Sequence, residues 1–296
     1  MTKRIIEIGS EGAYLHVRLG QLIITREGND IASIPMEDMA ALILDHPQSV
    51  ISQACLAALL DNTVMVVTSD TRHQPTGMLL PLAANTLQTE RFSAQASLSQ
   101  PLRKQVWKQV VQAKIRWQAK VLHDVTGSAT LLTGLVRKVR SGDPDNVEAQ
   151  AARRYWSRLF PDGGFKRDRD AFDQNRYLNY GYAILRALTA RSLCAAGLHP
   201  SLGIHHRNRY NAYCLADDFM EPFRPFVDLR VHQLAKEHGT EKSLDGELRQ
   251  ELLSLVRQTV DMEGETVTLQ GALNKVAQSF VKVVLGESRR VLLPLP

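Results

Sequence analysis

Residues 203–228, Gly-Ile-His-His-Arg-Asn-Arg-Tyr-Asn-Ala-Tyr-Cys-Leu-Ala-Asp-Asp-Phe-Met-Glu-Pro-Phe-Arg-Pro-Phe-Val-Asp, hold the densest set of side chains able to do chemistry. His205, His206, Arg207 and Arg209 open the stretch, and a short helix carrying Asp217, Asp218 and Glu221 is expected after them. Asp218 and Glu221 stand three apart and so share a helical face. Like charges placed this way repel unless water, an arginine or a cation separates them. Imidazole together with carboxylates forms a metal-ligand set, and the carboxylates favour hard divalent ions such as Mg2+ or Mn2+. The neighbouring arginines suit a ligand that is itself an anion, such as a phosphate. A solvated acidic helix after a basic turn reads equally well from this stretch alone.

A third carboxylate stands upstream. Asp143 as N-cap and Pro144 at the first helical position open an expected helix running to about Phe160. Glu148, Ala152, Tyr155 and Leu159 follow helical spacing, which puts Glu148 along the apolar side. A carboxylate there needs a partner. The structural reading pairs it with a nearby arginine; the chemical reading joins it to His206 and Glu221, with Asp217 and Asp218 beside them. The second requires the fold to bring this helix against residues 203–221.

Other constellations exclude more than they suggest. His123-Asp124 is a lone doublet at a helix end, without the further His and Asp that an HD-type phosphohydrolase needs. There is no Gly-rich P-loop, no Gly-x-Ser-x-Gly elbow and no four-ligand zinc spacing. His46, His73, His199, His232 and His238 are isolated and read as surface or loop histidines.

The elements that must position these groups fall into two regimes. Residues 4–45 read as short strands, Arg4–Ile8, Ala13–Leu19, Gln21–Thr25, Asp30–Ile34 and Ala41–Leu44, parted by glycine turns that include a Gly28-Asn29 hairpin pair. A helix over 49–60, a buried strand over 64–68 and a short strand at 78–80 complete a small β-rich domain, 1–84, read as a scaffold or dimerisation module. Residues 85–296 read as helices: 87–97, 101–124, 129–140, 143–160, 173–196, 223–237, 244–258 and 272–285, with one extended piece at 265–269. Between Arg103 and Lys120 lie six cations, Arg103, Lys104, Lys108, Lys114, Arg116 and Lys120, and no acid. They decorate a helix whose apolar stripe is Val106, Val110, Ile115 and Val121. Pro161 to Arg169 combines glycines with cations, a composition suited to backbone approach to phosphates. Gly181 inside a helix costs about 1 kcal/mol relative to Ala and implies a close backbone approach.

The chain has 296 residues, 44% of them hydrophobic, and a net charge of +5. It is long enough for a real core, and the modest excess of cations favours polyanionic partners. Cys55, Cys194 and Cys214 are odd in number and widely spaced, which fits a reducing cytoplasm rather than a disulfide framework. No stretch reaches the roughly 18 apolar residues of a membrane span. The fold class is α+β, a β-rich N-terminal domain followed by a larger helical catalytic domain.

Several separated motifs then share one order. Glu148-Ala-Gln-Ala-Ala-Arg-Arg-Tyr-Trp, Asn179-Tyr-Gly-Tyr, Gly203-Ile-His-His206, Leu215-Ala-Asp-Asp-Phe-Met-Glu-Pro-Phe-Arg-Pro and Val227-Asp228 resemble the CRISPR-associated endonuclease and integrase of spacer acquisition, the CRISPR-associated protein one family. The likeness spans nearly the whole chain, and 203–228 is most similar to the type II branch. It implies a metal held by Glu148, His206 and Glu221, Mg2+ or Mn2+, with Asp218 as an auxiliary residue. It departs from the family pattern at His205, which replaces an apolar residue and offers a second imidazole, and in having Glu221 where many branches have Asp. If 204–206 is extended, only one of the two histidines faces the metal; the family register selects His206. Pro222 disfavours α geometry at Glu221.

The implied activity is DNA integration: a 3′-hydroxyl of a spacer precursor attacks a phosphodiester of the CRISPR array, with the ion polarising the phosphate. Arg153, Arg154, Lys166, Arg167 and Arg207 are the residues expected on the DNA backbone. The implied partners are double-stranded protospacer and leader-repeat DNA, a second copy through the β domain, and CRISPR-associated protein two in a heterohexamer. A nuclease that cleaves without joining, and a non-catalytic nucleic-acid-binding subunit, are the competing readings.

Overall fold

The computed structural model describes residues 3–296 apart from 72, 74, 82, 129, 162–164 and 169. The N-terminal region is built from β1 (Arg4–Ile8), β2 (Tyr14–Arg18), β3 (Gln21–Arg26), β4 (Asn29–Pro35), β5 (Met39–Leu44), β6 (Val50–Ile51), α1 (Gln53–Asp61), β7 (Met65–Ser69) and β8 (Pro75–Leu79). Two four-stranded sheets result, ordered β4-β3-β2-β6 and β1-β5-β7-β8.

The second sheet explains the unbroken apolar runs of β5 and β7. Its β1, β5 and β7 are parallel, and β5 and β7 are buried on both faces. Leu42 and Val66 point into the core of the β region with Leu15, Leu22 and Met36. Their alternates Ala41, Ile43, Met65 and Val67 join the helical core. The hairpin between β3 and β4 turns on Glu27-Gly28, at φ 48 and 81, one residue earlier than Gly28-Asn29; Asn29 already pairs with Arg26.

The rest of the chain is mostly helical: α2 (Gln88–Ala96), α3 (Gln100–Thr126), α4 (Thr130–Val136), α5 (Val147–Leu159), α6 (Asn175–Ala195), α7 (Cys214–Met220), α8 (Arg224–His238), α9 (Gly246–Ser254) and α10 (Leu269–Val284). One β hairpin interrupts it, β9 (Thr259–Met262) with β10 (Glu265–Thr268). The extended piece expected at 265–269 therefore has a partner strand in Thr259–Met262, just beyond the helix expected over 244–258. The loop after α5 loses most of its expected glycine content from view: Gly163, Gly164 and Arg169 lie outside the described residues.

Two helix ends depart from expectation. Asp143 is not the N-cap of α5; it sits at φ 48, and Asn146 is the N-cap. Asp143 still serves the helix, because its carboxylate accepts from the N–H groups of Val147 at 2.9 Å and Glu148 at 3.0 Å. Glu221 keeps α geometry, φ −54 and ψ −45, despite Pro222. The proline instead tightens residues 221–223 into a 3-10 turn that joins α7 to α8. As expected, Gly181 of α6 lies against another element: a Cβ there would come 2.5 Å from Val227 Cγ1 of α8.

A buried ionic cluster ties the β region to the helices. Arg249 of α9 donates to Glu7 at 2.7 Å and lies 3.5 Å from Asp45, while His73 Nδ1 is 2.7 Å from the same Asp45 carboxylate. Burial pushes the Glu7 carboxyl up, against the pull of Arg249 and the Tyr180 hydroxyl.

Candidate metal and phosphodiester site

The site forms where α3 packs between α5 and the 221–223 turn. Glu148 lies in the first turn of α5, where the helix N-terminus favours its charge. Glu221 is reached from the other side and is 5% exposed. Lys114 of α3 stands between them, its ammonium 2.6 Å from Glu148 Oε1 and 2.5 Å from Glu221 Oε2. Arg224 donates to the other Glu221 oxygen at 2.8 Å. Arg224 and Lys114 together hold the Glu221 carboxyl well below the usual range, against the opposing effect of burial.

Lys114 corrects the reading of the basic run. It stood among the cations expected to decorate α3, yet it is 8% exposed and turned inward. Its position seven residues after Trp107 and four after Val110 put it on the buried face, a signal present in the spacing. The partner of Glu148 is thus a lysine and not an arginine. Lys120, by contrast, is exposed and pairs with Asp124 at 2.6 Å across one helical turn. Such a pair stabilises by at most about 1 kcal/mol, and it accounts for the His123-Asp124 doublet without chemistry.

The two adjacent histidines are separated by their partners. His205 lies flat on Trp107, centroids 4.1 Å apart and planes 2° apart. His206 meets the same indole edge-on and places Nδ1 2.6 Å from Asp218 Oδ1. An ionised carboxylate only accepts, so Nδ1 carries the proton and Nε2 keeps its lone pair. The bond to Asp218 raises the proton affinity of His206; burial lowers that of His205.

Asp218 is fully buried and organises the loop around it. Its carboxylate accepts from the backbone N–H groups of Ile204 at 2.7 Å, His205 at 3.1 Å and His206 at 3.2 Å. With its oxygens engaged in this way, Asp218 orients His206. Gly203 makes this loop possible, because a Cβ there would collide with the His206 carbonyl and press on Asp218 Oδ2. Asp217 faces elsewhere, paired with Arg186 at 2.6 Å and Asn211 at 2.7 Å.

Among the described residues, no three His, Cys, Asp or Glu side chains are gathered as they stand into a metal-holding cluster. The donor set nevertheless fits a divalent ion. Two carboxylates from separate elements converge on one cation, here an ammonium. A buried oxygen, Glu221 Oε2, has an ion pair but no directed hydrogen bond. The His206 imidazole, bonded to Asp218 through Nδ1, has Nε2 left as a donor atom.

Of the cations expected on DNA, Arg153, Arg154, Lys166 and Arg207 are exposed. Arg167 is half-buried and donates to Asn175 at 2.8 Å and Asn179 at 2.6 Å. A cavity of about 810 Å³ opens beside it, lined by Arg167, Arg176, Arg186, Arg224 and Arg249 among others. His232 is buried rather than at the surface. Sequence reading missed Lys114, Trp107 and Arg224 as parts of the site. Among the described residues, no helix is long and apolar enough to cross a membrane.

A two-sheet β region is followed by a mostly helical region that carries the two carboxylates and the oriented histidine. The fold is similar to that of a casposase bound to integration product, with TM-score 0.79 and 18% identity over 97% of this chain and 92% of that one. It is also similar to a Cas6-RT-Cas1–Cas2 complex, with TM-score 0.78 and 18% identity over 99% of this chain and 36% of that one. The CRISPR-associated endonuclease Cas1 of Neisseria meningitidis serogroup C (strain 8013) is 36% identical over 283 residues, 95% of this chain and 91% of the relative. The family model described as CRISPR associated protein Cas1 matches residues 6–255. The chain belongs to the Cas1 family.

Proposed function

We propose that this protein is a metal-dependent DNA integrase of CRISPR spacer acquisition, of the type II branch, in which a DNA 3′-hydroxyl attacks a phosphodiester of the array. The observation that carries the reading is the convergence of Glu148 and Glu221 on a single cation, with His206 held by Asp218 through Nδ1 on a loop packed against the same helix α3. Glu148, His206 and Glu221 are the residues that would hold Mg2+ or Mn2+. A divalent ion there supplies Lewis-acid stabilisation of charge on the scissile phosphate and the leaving oxygen.

The chain's own groups do the positioning. Asp218 fixes the His206 tautomer and the loop that carries it. Trp107 stacks on His205 and meets the edge of His206. Arg224 neutralises part of the Glu221 charge, which keeps that carboxylate ionised in a buried place. Arg153, Arg154, Lys166 and Arg207 offer exposed charge to a DNA backbone, and Arg167 is braced by two asparagines; binding through them would fall steeply with salt. Residues 1–84 serve in this reading as the scaffold and homodimer module, and residues 85–296 as the catalytic part. A Cas2-type partner in a heterohexamer and a cytoplasmic location complete the reading, supported by the Cas1–Cas2 assembly among its structural relatives.

The test is integration of a short duplex with free 3′-hydroxyl ends into a supercoiled plasmid bearing leader and repeat, with the small partner supplied. Joining with Mn2+ or Mg2+, its loss in EDTA and in His206→Ala, and its survival in His205→Ala are the expected results. No joining under any metal sinks the proposal, and cleavage without joining favours the nuclease instead. Greater loss in His205→Ala than in His206→Ala overturns the choice of ligand.

A further inference from the structure

Lys114 contacts both carboxylates of the site. Glu221 divides its oxygens between two cations, Oε1 to Arg224 and Oε2 to Lys114, while Glu148 Oε1 meets Lys114 from the opposite side. The lysine side chain is 10% exposed, Glu221 6% and Glu148 26%. The solvent side of the trio is therefore that of Glu148. Without Lys114, Glu221 would keep Arg224 on Oε1 but lose the cation on its buried Oε2, and Glu148 would lose the cation on Oε1. With a divalent ion on the same oxygens, an ammonium at its present position would face two further positive charges across a few ångströms. The two occupants exclude one another.

We propose that Lys114 is a displaceable internal cation: it holds Glu148 and Glu221 together before metal binds, and it leaves them when a divalent ion takes their oxygens. The proposal rests on the reading of Glu148 and Glu221 as metal ligands. It assigns Lys114 a role toward the metal equilibrium that the remaining cations of α3 do not have. Lys114 lies within ion-pair distance of both carboxylates, at 2.6 Å from Glu148 and 2.5 Å from Glu221. The metal-free site thus carries its own counter-ion, and metal affinity is set by competition with it.

Three measurements test this. In the wild-type protein, acylation of Lys114 by an amine-reactive reagent, followed by mass spectrometry, is expected to be slow in EDTA and to accelerate several-fold in saturating Mn2+. In Lys114→Met, calorimetry is expected to show Mn2+ binding tighter by about tenfold or more, since a competing charge has been removed. The melting temperature of that variant is expected to fall in EDTA and to recover toward wild type in Mn2+. Unchanged acylation while calorimetry shows Mn2+ bound, or equal or weaker Mn2+ affinity in Lys114→Met, overturns the proposal and leaves the metal site standing. If wild-type protein binds no Mn2+ at all, the underlying site reading falls and the proposal with it. Should Lys114→Met fail to fold, the acylation of wild-type protein decides alone.

Discussion

Asp218 Oδ1 and His206 Nδ1 lie 2.6 Å apart, and the same carboxylate gathers three backbone N–H groups of the loop that carries the histidine. The pair fixes which imidazole nitrogen stays available. In Asp218→Asn one oxygen can still accept from the loop, but an amide N–H2 turned toward His206 requires Nδ1 to accept, which moves the proton to Nε2. The expected outcome is a fall of about 10–100-fold in metal affinity or joining activity, with a smaller loss of stability than in Asp218→Ala. Calorimetry with Mn2+ beside thermal melts separates the two effects.

Packing behind the site is tested at Gly181. An added methyl would approach Val227 Cγ1 to 2.5 Å, so Gly181→Ala is expected to cost about 1–3 kcal/mol by overpacking. Val227→Ala removes the colliding atom. In a double-mutant cycle of denaturant melts, the double variant should be more stable than the sum of the singles requires; additive losses would place the strain elsewhere.

The interface between the β region and the helices is tested at Arg249. Its guanidinium serves Glu7 and Asp45, whose side chains are only 4% and 0% exposed. Arg249→Met leaves both acids buried without it and is expected to cost about 3–5 kcal/mol, read from chemical denaturation. A loss below about 1 kcal/mol would mean that the cluster relaxes into solvent.

A pH signature belongs to Asp228. Burial pushes its carboxyl up to about 7, against the hydrogen bond from Tyr182 and the charges of Arg224 and Lys114. Unfolded aspartate titrates near 4, so the folded state holds the proton more tightly. The contribution of Asp228 to stability is therefore fully present below about pH 4 and is lost as pH rises to and through 7. Asp228→Asn mimics the protonated acid and lacks this dependence. Its melting temperature relative to wild type should be lower at pH 5 than at pH 8; a constant difference contradicts the assignment.

Much of this was legible in residue spacing. Alternating or continuous apolar runs located β1 to β5 and β7, and Gly181 signalled a close approach. Of the ordered motifs around Glu148, His206 and Glu221, the structure brings Glu148 and Glu221 onto one lysine and leaves His206 with Asp218. The helix start at Asp143 is misplaced because an aspartate three residues upstream of the N-cap also accepts from N–H groups of the first turn, Val147 and Glu148, while Asn146 accepts from Ala149. Lys114 was missed because a cation in a basic run reads as solvated, and only the fold brings two carboxylates to it. The choice between His205 and His206 depended on Trp107 and Asp218, partners about a hundred residues and about a dozen residues away, which local sequence does not reveal.

The most direct measurement is anomalous diffraction from crystals grown with Mn2+. The expected result is a peak contacted by carboxylate oxygens of Glu148 and Glu221 and by Nε2 of His206, with the Lys114 ammonium withdrawn from both carboxylates and the Asp218 bond to Nδ1 intact. A peak held by His205, or Mn2+ bound elsewhere while Lys114 still bridges Glu148 and Glu221, would contradict the account.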